Sequence, residues 1–201
     1  MNEAADKTAD NTSCGFVALI GAPNAGKSTL LNALVGAKVS IVSRKVQTTR
    51  ALVRGIAIQD EAQIIFVDTP GIFAPKRRLD RAMVTSAWGG AGDADVVALL
   101  VDSKKGIDEE VEAILERLKD APRRKALVLN KIDLIPRENL LALAQELNTR
   151  CAFAETFMVS AAKGDGVAHL RAKLAGMMKP GPWLYPEDQV SDAPLRSLAA
   201  E

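Results

Sequence analysis

The residues Gly21-Ala22-Pro23-Asn24-Ala25-Gly26-Lys27-Ser28 carry the spacing G-x-x-x-x-G-K-[ST]. Glycines at its two ends let the backbone curl so that successive N–H groups face a chain of phosphates. A helix starting at the lysine adds the partial positive charge of its N-terminus. Lys27 is then placed to reach the β- and γ-phosphates and the Ser28 hydroxyl to ligate Mg²⁺, with Thr29 as the next nucleotide contact. A second group, Ile64-Ile65-Phe66-Val67-Asp68-Thr69-Pro70-Gly71, is an apolar run that ends in an acid. Asp68 is the matching Mg²⁺ residue, acting through a water, with Thr69 and Pro70 beside the phosphates. Gly71 has no Cβ to keep its N–H from the γ-phosphate.

A third group reads a base. Asn130-Lys131-Ile132-Asp133 follows the apolar run ALVL. A carboxylate at Asp133 accepts from guanine N1–H and the 2-amino group together. Adenine lacks that donor pair, and a buried carboxylate left unmatched is costly, so the site rejects adenine. Asn130 orients the loop and contacts the base edge, while the aliphatic stem of Lys131 covers base and P-loop. Ser160-Ala161-Ala162 is small enough to bring a backbone N–H to guanine O6. By itself each of the last two groups is a common turn or cap. In this order with the P-loop they specify a guanine nucleotide, GTP or GDP, with Mg²⁺.

These groups need elements that hold them at one edge. Phe16–Ile20, Val96–Val101 and Ala126–Leu129 are short apolar runs that read as buried strands, and Phe157–Val159 is the core of another. The stretches 51–58 and 64–67, separated by Asp60 and Glu61, form a hairpin signal, so one strand is antiparallel. Helical spacing recurs over Lys27–Ala37, with Gly36 near its end, and over Asp108–Leu118, Leu140–Leu147 and Val167–Met178. Strand alternating with helix predicts an α/β fold, a six-stranded, mostly parallel sheet with helices on both faces; joined to the four motifs, this resembles the Ras-like G domain of the P-loop NTPases. In such sheets ligands sit at the carboxyl ends of the strands, where each of the motifs falls.

The 201 residues are 48% hydrophobic and 25% charged, ordinary for one globular domain. Their 26 Lys plus Arg against 25 acids leave +1, so no global pull toward nucleic acid or membrane exists. Cys14 and Cys151 are far apart in the chain and the one histidine is His169, which excludes a zinc cluster and a disulfide framework. The polar segment 1–13 is expected to be a disordered tail, 14–180 the nucleotide-binding domain, and the Pro-rich segment 181–201 a linker. Trp183 and Tyr185 are candidates to pack back on the domain. No apolar run is long enough to span a bilayer, so a cytoplasmic protein is expected.

The motifs GAPNAGKS, DTPG, NKID and SAA match the translation-factor-related GTPases. Ser40-Ile41-Val42-Ser43-Arg44-Lys45-Val46-Gln47-Thr48-Thr49-Arg50, together with Tyr185-Pro186-Glu187-Asp188, resembles the Era family within them. The resemblance implies GTP hydrolysis, a role in 30S ribosomal subunit assembly and 16S rRNA maturation, peripheral association with the inner face of the cell membrane, and a monomer. It also implies that Thr49, or alternatively Thr48, completes the Mg²⁺ shell in the GTP state. Era proteins continue into an RNA-binding KH domain. That domain is expected to be missing here, which removes the expectation of direct rRNA binding. The alternative is the G domain of another Era/TrmE-like GTPase, serving tRNA modification or metal transport. A small-molecule kinase is disfavoured by N-K-I-D, whereas a non-hydrolysing binding module stays open. Ile72 stands where many GTPases have a water-positioning glutamine. The catalytic candidates are therefore Lys27, Thr49, Gly71 and Asn24, the last as a ligand for K⁺ that would neutralise developing charge. Arg44 or Arg50 acting as an arginine finger is the rival reading.

Overall fold

A computed structural model of the chain describes residues 11–39, 53–68, 94–187 and 189–190. Apolar, β-branched runs become the central strands. β1 (Ser13–Gly21), β3 (Ala62–Asp68), β4 (Val96–Asp102), β5 (Arg124–Asn130) and β6 (Glu155–Val159) run parallel, and β2 (Val53–Gln59) pairs antiparallel to β3. The order is β2-β3-β1-β4-β5-β6. From β1 the chain moves outward to the β2–β3 hairpin on one side, then returns past β1 to β4 on the other. That reversal opens a crevice at the carboxyl end of β1.

Among the described residues four helices cover the sheet: α1 (Lys27–Val35), α2 (Glu109–Lys119), α3 (Arg137–Arg150) and α4 (Val167–Ala175). Because side chains alternate across a strand, the sheet feeds two cores. Val17, Leu19, Ala98, Leu100 and Val128 pack with Leu30, Leu34, Leu170 and Leu174 of α1 and α4. Ala18, Ile20, Leu99, Val101 and Leu127 pack with Ile114, Leu115, Leu140 and Leu147 of α2 and α3. Helix ends follow local chemistry. Gly36 ends α1 at φ 78°, a left-handed position that glycine accepts without a Cβ penalty. Asp108 caps α2 by accepting from the Val111 N–H at 2.9 Å.

The predicted hairpin and the parallel sheet are present. One boundary and the number of strands differ. Thr12 and Ser13, assigned to the tail on sequence grounds, are ordered: Ser13 is the first residue of β1 and its N–H donates to Glu61 O at 3.0 Å. The proline-rich stretch after Met178 begins with a seventh, two-residue strand, β7 (Lys179–Pro180), antiparallel to β1. A proline is tolerated there because β7 is short and terminal.

Beyond β7 the chain straps back over the sheet. Thr12 and Gly181 exchange bonds, with Gly181 N–H donating to Thr12 O and Thr12 Oγ1 to Gly181 O, both at 3.0 Å. Gln63 of β3, fully buried, holds the strap by its side chain. Its Oε1 accepts from the Leu184 and Tyr185 N–H groups at 2.9 and 3.0 Å, and its Nε2 donates to Tyr185 O at 2.8 Å. Trp183 Nε1 donates to Glu61 O at 3.1 Å, and the Ile56 N–H of β2 donates to Val190 O at 2.9 Å. The expected return of Trp183 and Tyr185 onto the domain is thus made mostly by backbone. Both cysteines are free thiols, Cys151 buried and Cys14 half-buried. His169 meets the edge of the Phe157 ring, with centroids 6.1 Å apart. Among the described residues no helix is long and apolar enough to cross a membrane.

Candidate functional site

The turn from β1 into α1 is shaped by positions that most side chains would not accept. Asn24 and Gly26 sit at φ 63° and 98°. A Cβ on Gly26 would lie 2.3 Å from Asn130 Nδ2, and one on Gly21 would lie 2.5 Å from Leu100 O. Gly26 is therefore glycine for two reasons, backbone sign and contact. Ala22, Pro23 and Ala25 are buried under the loop, whereas the Asn24 side chain is exposed and Thr29 is half-buried.

Lys27 is only 7% exposed. Its Nζ donates to the carbonyls of Gly21 and Ala22 at 3.1 and 3.0 Å. Burial pulls its pKa from 10.5 down to about 8, with Asp68 and then Glu110 acting the other way. The ammonium so held lies at the mouth of the curl, where an anionic phosphate would relieve its desolvation. Beside it, Ser28 Oγ donates to Asp68 Oδ2 at 2.9 Å, and Asp68 is fully buried at the end of β3. A hydroxyl and a carboxylate at this spacing are hard oxygen donors suited to Mg²⁺, so the residues fit the ion expected from sequence.

The base loop is bolted to the phosphate loop. Asn130, 2% exposed at the end of β5, donates from Nδ2 to Ala25 O at 2.9 Å. Its Oδ1 accepts from the Lys131 N–H at 2.8 Å and the Ala161 N–H at 3.1 Å. One carboxamide thus joins the P-loop, the N-K-I-D turn and the S-A-A turn. Lys131 adopts φ 63° and sends Nζ to Asn24 O at 2.7 Å, so its stem does cross the P-loop. Asp133 lies in a single 3-10 turn, Ile132–Leu134. Its Oδ1 accepts from the fully buried Ser160 hydroxyl at 2.7 Å, and Lys163 Nζ stands 3.5 Å from Oδ2. The Ser160 hydrogen bond, with help from Lys163, holds the Asp133 carboxyl below its usual range. A carboxylate kept ionised can only accept, which suits a partner with two adjacent donors.

Two roles escaped the sequence reading. Ser160 was expected to matter only for being small, yet its hydroxyl aims Asp133. Asp102, at the end of β4, was not singled out at all. Its Oδ2 pairs with Lys131 Nζ at 2.6 Å. The signal existed: VVALLVD ends an apolar strand in an acid, as IIFVD does. Ala162 follows in an exposed turn. Thr48, Thr49, Thr69, Pro70, Gly71, Ile72, Arg44 and Arg50 lie outside the described residues. Of the expected site the structure brings together Gly21–Thr29, Asp68, Asn130, Lys131, Asp133, Ser160, Ala161 and Ala162 at one edge of the sheet.

Residues 16–131 match the family model described as 50S ribosome-binding GTPase. GTPase Era of Bradyrhizobium diazoefficiens is 67% identical over 199 residues, covering 99% of this chain and 65% of that protein. Among solved structures, Era in complex with MgGDPNP and nucleotides 1506–1542 of 16S ribosomal RNA superposes with a TM-score of 0.88 at 42% identity, over 94% of this chain and 65% of that one. A variant of Aquifex aeolicus Era bound to GDP and AlF₄⁻ gives 0.87 at 41%, with 94% and 65% covered. The chain spans a little under two thirds of the length of these relatives. Motifs, sheet order and likeness agree: the chain belongs to the 50S ribosome-binding GTPase family, as an Era-like member of it.

Proposed function

We propose that the chain is a guanine-nucleotide switch that binds GTP and GDP with Mg²⁺ and hydrolyses GTP slowly. The observation that carries this reading is the Asn130 carboxamide, which ties the phosphate loop to the two turns that carry Asp133 and its Ser160 partner. The P-loop amides and Lys27 would bind the phosphates, Ser28 and Asp68 would hold Mg²⁺, and Asp133 would select guanine. Bound there, Mg²⁺ supplies charge neutralisation on the phosphate oxygens. Lys27 contributes a desolvated ammonium whose pull on phosphate is stronger for being out of water. Thr49 and Gly71 are assigned to the γ-phosphate side, completing the catalytic set with Lys27 and Asn24.

Ile72 has no group to orient water, so a substitute is required, and we assign it to K⁺ on the exposed Asn24 side chain. A carboxamide oxygen at the rim of the P-loop is a suitable donor for a soft-shelled monovalent cation. The cation supplies the positive charge that an arginine finger supplies elsewhere. Residues 14–180 are taken as the G domain and 181–201 as a linker. The 16S rRNA fragment bound by the solved Era favours the small ribosomal subunit as the setting, over the large subunit in the family description. The protein would act there from the cytoplasm as a monomer, with peripheral membrane association as a further trait of the resemblance.

The test is single-turnover GTP hydrolysis with Mg²⁺ in KCl and in NaCl, beside Asn24→Ala. GTP should be cleaved and ATP not, at least tenfold faster in KCl, with that difference abolished in Asn24→Ala. Equal rates in both salts would remove K⁺ and return the role to Arg44 or Arg50. Absence of cleavage in either salt, with GTP bound, would leave a binding module.

A further inference from the structure

Asp102 sits in the bridge between the two halves of the site, and neither the motifs nor the family description assigns it a part. It ends β4 and is 8% exposed. Both its carboxylate oxygens are committed: Oδ1 accepts from the Lys104 N–H at 3.0 Å, and Oδ2 takes the Lys131 ammonium at 2.6 Å. The same ammonium donates to Asn24 O at 2.7 Å. Lys131 and Asn24 are both non-glycine residues in left-handed backbone, at φ 63° each. Such conformations persist only where the surroundings over-determine them. Here the ammonium ties the two strained residues together, and Asp102 is its fixed counter-charge.

We propose that Asp102 is a positioning residue for nucleotide retention: its carboxylate anchors the Lys131 ammonium over the P-loop, so that the Lys131 stem stays clamped across the bound base and the Asn24 peptide keeps its place. The inference rests on the nucleotide reading above and deepens it. The Asp102 carboxylate is engaged by the Lys104 N–H and the Lys131 ammonium. It acts through Lys131, and so its effect must disappear when the ammonium is gone.

That requirement sets the experiment. Dissociation of fluorescent N-methylanthraniloyl-GDP in Mg²⁺ is measured for the wild type, Asp102→Asn, Lys131→Met and the double variant. Asn keeps the size of Asp102 and Met keeps the stem of Lys131. Asp102→Asn should release GDP about tenfold faster, Lys131→Met as fast or faster, and adding Asp102→Asn to Lys131→Met should change the rate less than twofold. Unchanged release in Asp102→Asn overturns the proposal, and so does a tenfold effect that persists on the Lys131→Met background. Should Asp102→Asn not fold, Lys131→Met alone decides, because a wild-type rate there also overturns it. A wild-type chain that does not bind the probe overturns the nucleotide reading itself, a result separate from the other two.

Discussion

Lys27 and Gly26 show how single residues set the properties of the site. The buried Lys27 is pulled down to about 8 because the loss of water outweighs two carbonyls and the attraction of Asp68 and Glu110. Below that pH it is charged in both folded and unfolded chains, and the penalty is constant. Between about 8 and the unfolded value of 10.5 the unfolded chain holds a proton that the folded one lacks. Stability of the nucleotide-free protein therefore rises with pH through that window. Phosphates favour the ammonium, so binding must take up a proton wherever Lys27 is partly neutral. Calorimetry of Mg·GDP binding in two buffers of different ionisation heat should find uptake of about half a proton at pH 8 and about a tenth at pH 7. Zero uptake at pH 8 would show that Lys27 does not titrate there. Gly26 supports a second expectation. Gly26→Ala sets a methyl against Asn130 Nδ2 on a backbone with φ 98°. It should cost about 1–3 kcal/mol in urea unfolding and abolish GDP binding, since the P-loop and the Asn130 bolt must separate. Retained affinity would mean that the bolt is dispensable.

At the scale of elements, the strap after β7 is the feature that sequence reasoning described least well. Prolines from Pro180 onward read as breaking any regular element, yet Pro180 itself pairs in β7. They do not reveal that Gln63, on the far side of the chain, would supply the missing bonds. Inside AQIIFVD a glutamine looks like a polar interruption, and its three strap bonds depend on partners more than 120 residues away. Pattern over a local window carries no such information. The β-strands, by contrast, were legible because burial on both faces demands continuous apolar runs, and α1 because Gly36 stops it. Gln63→Leu should fill the same buried volume while leaving the strap amides to water. Each lost bond is worth about 1 kcal/mol net. Hydrogen exchange at the Leu184 and Tyr185 amides should quicken by an order of magnitude or more, with GDP affinity unchanged. Exchange that stays slow would mean that β7 and Trp183 hold the strap without Gln63.

For the molecule as a whole, one edge of the sheet gathers the ends of β1, β3, β4, β5 and β6, and side-chain bridges join all five. Ser28 meets Asp68, Asn130 meets Ala25 and Ala161, and Lys131 meets Asn24 and Asp102. The P-loop and N-K-I-D announced themselves because their spacing is dictated by a nucleotide. Asp102 and the Ser160 hydroxyl did not, because they act on other side chains and leave no fixed spacing behind. A nucleotide bound across this edge adds its own cross-link between the β1 and β5 ends, so binding must stabilise the entire fold against unfolding. At a free concentration one hundred times the dissociation constant the gain is about 2.7 kcal/mol, which for a domain of this size raises the melting temperature by roughly 5–10 °C. Differential scanning fluorimetry with Mg²⁺ should therefore show such a shift for GDP and for GTP. ATP at the same concentration should give none, because the ionised Asp133 meets no donor pair on adenine. Equal shifts for ATP and GTP would show that the phosphate cradle alone determines binding and that Asp133 does not select the base.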